Sequence, residues 1–198
     1  MTRNINIKNL LFGFLTLLSF TMNAQENNLP YAEIPDAPTA YTAGAVVSRM
    51  IDGLGFRYYW ATEGLRADDL SYRPGADART TEETIDHILG LSNVVLNSAL
   101  NKVNERQDFS ELSFEQKRER TLKNLEEASK IFRTADDLST FKVIFKGKEV
   151  NSEYPMWNQI NGPISDAIWH CGQVVSFRRA SGNPFNSKVS VFAGKLRD

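Results

Sequence analysis

Apolar residues recurring at steps of three and four place the tightest limit on what this chain can fold into. Val46, Val47, Met50, Ile51, Leu54, Tyr58 and Ala61 fall on one face of a helix. The pattern predicts an amphipathic helix from about Thr42 to Glu63. Gly53 and Gly55 weaken its centre and leave room for another helix to approach. A second helix is predicted from Thr80 or Thr81 to about Asn104, with Ile85, Ile88, Leu89, Val95, Leu96, Ala99 and Val103 as its apolar positions. Ser113 and Gln116 have the spacing of a capping box and open a third, which carries Leu122, Leu125, Ala128, Ile131 and Phe132. Its opposite face, with Lys117, Arg118, Glu119, Arg120, Lys123, Glu126 and Glu127, reads as solvated. The last helix is predicted to start between Asn158 and Pro163. It ends near Ala180, where Ser181-Gly182-Asn183-Pro184 stops it.

Between Gly64 and Thr81 the chain reads as a connection, with Asp68-Asp69-Leu70 and Arg73-Pro74-Gly75 as turn material. Thr140 to Trp157 reads as a small hairpin or extended loop. Four long helices with such an insert before the last predict an all-α fold, a four-helix bundle over residues 41–184. Residues 25–40, with Pro30, Pro35 and Pro38, read as an extended lead-in, and 185–198 as an extended, loosely packed tail.

Residues 1–24 carry Arg3 and Lys8, an apolar run from Leu10 to Phe20, and a small residue at Ala24. That order is the pattern of a signal peptide and predicts export to the periplasm or exterior, with cleavage near Ala24. The run is too short for a stable membrane span. Basic and acidic residues nearly balance, at 23 and 24, with no basic block. Nucleic acid is therefore not an expected partner. Cys171 is the only cysteine, so no intrachain disulfide can form and the packed core must hold the fold. Its apolar surroundings read as those of a small buried hydrophobe, not of a reactive thiol.

The chain has only two histidines, His87 and His170. Asp166 precedes His170 by four residues, which puts both on one helix face. A third ligand from another helix would complete a site with open positions, and His87 is the histidine left to supply it. Asp86 sits about 100° round the helix from His87 and is a poor co-ligand, and Cys171 is likewise turned away from His170. Plainer readings compete. Asp166 follows Pro163 by three residues, where a carboxylate favours a helix start. Arg178 or Arg179 could serve an anionic substrate, but both read more simply as snorkelling surface residues, and Trp157 and Trp169 as core or pocket wall. No nucleophile–base triad and no Gly-rich phosphate loop appear, so any chemistry is expected to centre on a metal.

Three segments carry a family resemblance: Gly64 to Gly75, Thr84 to Ile88, and Ile164 to Arg179 with His170-Cys171-Gly172-Gln173. In their order and spacing the chain resembles the DinB/YfiT-like proteins, a superfamily of four-helix-bundle metalloenzymes, over about residues 40–184. The resemblance implies a divalent metal bound by a His near the start of the second helix and by two His spaced by four in the last. His87 matches the first and His170 the second of the pair, while Asp166 stands where the other imidazole would be. Zinc, nickel, iron and manganese all stay open as the metal, with the carboxylate favouring zinc, iron or manganese. The implied activity is that of a metal-dependent transferase or hydrolase acting on a small molecule. Export makes a cytosolic thiol cosubstrate a less natural fit. The alternative is a non-catalytic metal- or ligand-binding bundle, or one that assembles as a homodimer.

Overall fold

A computed structural model describes residues 29–198. The expected signal peptide, residues 1–24, lies outside the described residues, as does the start of the lead-in. Three of the four long helices open on a side-chain cap, which satisfies amide groups that have no partner in the first turn. Thr42 Oγ1 accepts from the Ala45 N–H and starts α1 (Ala43–Thr62). The connection after it contains one short helix, α2 (Ala67–Ser71), where turns were expected. Asp69 draws that turn together by accepting from the Arg66 backbone and guanidinium.

Thr80 and Glu83 form a reciprocal capping box at the start of α3 (Thr81–Ala99). This helix ends at Ala99, not near Asn104. Asn101 adopts a left-handed conformation, φ 51°. The amides of Asn101 and Lys102 turn back to the carbonyls of Ser98 and Asn97, a Schellman stop. Asn accepts that backbone better than most residues, and here its side-chain oxygen accepts from the Lys142 N–H at 3.3 Å. Val103–Asn104 then forms β1. Ser113 and Gln116 cap α4 (Phe114–Arg133) as expected.

The insert is a hairpin, β2 (Lys142–Phe145) antiparallel to β3 (Ser152–Pro155), with β1 added in parallel on β2. The chain is mostly helical with a small sheet, not purely α-helical. After β3 a helical turn at Trp157–Gln159 runs into a π-helical segment, Ile160–Ile164, and on into α5 (Ser165–Ala180). Pro163 has no N–H to give and would crowd a regular turn, so the wider turn accommodates it. Ile164 keeps helical angles, φ −70° and ψ −52°, so the backbone is continuous. Asp166 therefore follows more than two turns of helix, and the helix-start explanation for it does not hold.

In the packing, α4 and α5 each lie against both α1 and α3. Ile51, Leu54 and Tyr58 of α1 meet Ile85 and Ile88 of α3, Leu122, Leu125 and Phe132 of α4, and Val174 of α5 in one core. Gly55 serves the lead-in and not a neighbouring helix. A Cβ there would come within 2.4 Å of the Tyr31 ring, which lies over α1. The Tyr31 hydroxyl donates to Asp52, which also accepts from Ser129 and Arg133, so the lead-in, α1 and α4 share one buried polar cluster.

Several polar residues pack inward against expectation. Lys117 is buried and paired with Asp86 and Glu82 of α3. Burial works against its charge, and the two carboxylates outweigh it and hold the ammonium above its ordinary range. Arg118 lies over the Tyr59 ring and reaches Glu63. The charged face of α4 is thus partly an inter-helix tie, since long stems reach carboxylates across the seam. Arg178 is also buried and donates to the carbonyls of Trp60, Ala61 and Glu63 at the open end of α1. The tail is not loose either. Val189–Ser190 and Lys195–Leu196 pair as β4 and β5, and the Ile34 N–H donates to the Gly194 carbonyl at 2.8 Å. Among the described residues, no helix is long and apolar enough to cross a membrane.

Candidate metal centre

His87 lies in the second turn of α3, between Asp86 and Ile88. Ile85, Ile88 and Leu89 turn into the core and leave the imidazole at the seam with α5. Asp166 and His170 meet it there, one turn apart on α5. Asp166 Oδ2 stands 3.1 Å from His87 Nε2, and Asp166 Oδ1 stands 3.3 Å from His170 Nε2. The two imidazole rings meet edge to face, 4.6 Å between centroids and 88° between planes. Taking one ligand atom from each residue, all three lie within 4.8 Å of one another. Ligands about 2.0–2.2 Å from a tetrahedral zinc stand roughly 3–3.5 Å apart, and the two carboxylate–imidazole distances fall in that range.

Gln173, one turn beyond His170, has its Oε1 2.7 Å from His170 Nδ1. That arrangement puts a proton on Nδ1 and leaves Nε2 to face Asp166. An Nε2 lone pair on that side is placed to ligate a metal ion set between the ring and the carboxylate. Gln173 was not singled out as a partner in the sequence, although its spacing of three from His170 is a signal for one.

Burial holds His87 below the ordinary histidine range, and the charges of Arg79 and His170 push the same way against the Asp166 hydrogen bond. A neutral imidazole at neutral pH is the form that binds a metal. The site is reachable from solvent, with side-chain exposures of 31% for His87, 35% for Asp166 and 12% for His170. Trp169 stacks beside His170, 13° between planes, and is 70% exposed. Trp157 is 74% exposed. Neither tryptophan belongs to the core, because the helix face each occupies meets solvent and not another element.

The neighbours set aside in the sequence stay outside the triad. Asp86 is engaged 2.8 Å from Lys117 Nζ. Cys171 is buried, and burial pushes its thiol up to about 12, so it carries no thiolate at neutral pH. Compared with family models, curated proteins and solved structures, the chain matches none of them.

Proposed function

We propose that this chain is an exported DinB/YfiT-like four-helix-bundle protein that holds a divalent metal ion at His87, Asp166 and His170. In this reading it acts as a metal-dependent transferase or hydrolase on a small molecule. The observation that carries the reading is the meeting of three ligand atoms from two helices within 4.8 Å, with the far nitrogen of His170 already held by Gln173. His87 reaches the Asp166 carboxylate from 79 residues away, which local helix spacing does not bring about. A bound divalent ion would supply Lewis acidity toward a carbonyl or water oxygen. Asp166 contributes negative charge to the site, His87 stays neutral and ready to ligate, and Trp169 shields one side of His170. The mixed donor set suits zinc, iron or manganese and leaves nickel open.

A second reading, a non-catalytic metal- or ligand-binding bundle, draws support from the exposure of His87 and Asp166. Catalytic pockets commonly bury most of a small ligand.

The test is metal content by mass spectrometry on protein purified without a histidine tag. Wild type should retain about one metal per chain, and His170→Ala should lose it. A metal-free wild type that gains no thermal stability from zinc, nickel or manganese would sink the proposal. If metal is present, an exchangeable water on it separates the catalytic reading from the closed structural one. N-terminal sequencing of the exported protein should begin near Gln25.

A further inference from the structure

A cavity of about 330 Å³ lies on a different face of α5 from the metal triad, between α1, α5 and the C-terminal hairpin. Ile168, Cys171, Val175 and Arg179 of α5 line it, a helical stripe distinct from the one that carries Asp166, His170 and Gln173. Phe56 of α1 and Phe185 and Val189 of the tail close its apolar wall. The volume falls within the roughly 300–1,000 Å³ of small-molecule sites, and such sites combine apolar walls with a few placed polar groups.

Two guanidiniums supply those groups. Arg57 lines the cavity from α1 and donates to the Gly53 carbonyl at 2.8 Å, and Arg179 lines it from α5 with its charge 5.9 Å from the Phe185 ring. Among the described residues neither forms an ion pair. The charge of Arg57 reaches the Cys171 thiol in the same wall. Two cations without a carboxylate beside an apolar hollow are complementary to a ligand with an apolar body and an anionic head.

We propose that this cavity binds a small amphipathic carboxylate, its hydrocarbon body against Val175, Ile168 and Phe185 and its head group held by Arg57 and Arg179. No covalent step is involved.

Octanoate and octan-1-ol, equal in chain length and different in charge, separate the head-group term from the apolar term. Isothermal titration of the full chain should show one saturable octanoate site, about tenfold tighter than that for octan-1-ol. Arg57→Met and Arg179→Met should each erase most of that tenfold difference and leave octan-1-ol binding unchanged. Val175→Trp should weaken both ligands by filling the space. Octanoate binding should persist in His170→Ala, because the metal triad plays no part in it. The proposal is overturned if octanoate binds no more tightly than octan-1-ol, if neither Arg substitution narrows the gap, or if His170→Ala abolishes binding. Should Val175→Trp fail to fold, the two Arg variants at the rim still decide.

Discussion

His170 Nδ1 lies 2.7 Å from Gln173 Oε1, and this contact decides which ring nitrogen faces Asp166. Partners of this kind typically contribute 10–100-fold to metal affinity by fixing the tautomer and orientation of a ligating imidazole. Gln173→Ala should therefore weaken zinc binding by roughly that factor, read by competition with a chromophoric chelator. Gln173→Glu keeps the acceptor and should restore binding. Equal affinity in wild type and Gln173→Ala would show that the contact does not orient a ligand.

Asp166 sits on α5 one turn before His170, where an imidazole would face the same point. Asp166→His should keep a bound metal and shift preference toward nickel and zinc over manganese, because it replaces a hard oxygen with a softer nitrogen. The ratio of manganese to nickel affinities is the readout. Complete loss of metal would mean that the carboxylate's charge or reach is indispensable.

Asp52 is buried, and Arg133 Nη2 approaches its Oδ2 at 2.6 Å while Ser129 and Tyr31 take Oδ1. Removing the cation strands a buried charge, so Arg133→Met should cost about 3 kcal/mol in urea unfolding. Lys123→Met breaks an exposed pair with Glu119 on the same helix and should change stability by less than about 0.5 kcal/mol. Comparable losses in the two variants would contradict the burial argument.

The Arg66 guanidinium hydrogen bonds hold the Asp69 carboxyl well below the usual carboxylate range, with Ser181 and Asn183 adding to them against burial. A carboxyl depressed in the folded state stabilises fully above its unfolded value, about pH 4, and loses that contribution as pH falls toward the folded value. The stability gap between wild type and Asp69→Asn should therefore be largest near neutral pH and shrink below about pH 4. Urea unfolding at pH 7 and pH 3 measures it. A gap that does not change would show that the carboxylate charge contributes nothing.

Helix starts were legible because a cap is a local event. Thr42, Thr80 with Glu83, and Ser113 with Gln116 each satisfy amides within three residues of themselves. The triad was legible for a related reason: Asp166 and His170 share a face by spacing alone, and His87 was the histidine left. What escaped depends on residues distant in sequence. The end of α3 turns on a left-handed Asn101, whose side-chain oxygen accepts from the Lys142 N–H far along the chain. Gly55 left room, but only the folded chain shows that Tyr31 takes it. Lys117 and Arg178 carry charge and so read as surface, yet each finds partners across a helix seam. Gln173 had the right spacing to His170, but its role needs the site to exist first.

The Ile34–Gly194 hydrogen bond draws the two ends of the described chain together. The consequence is mechanical. Tension that draws Ile34 and Gly194 apart loads this clasp together with the short β4–β5 pairing. The clasp should peel open at low force, with α1, α3, α4 and α5 still packed.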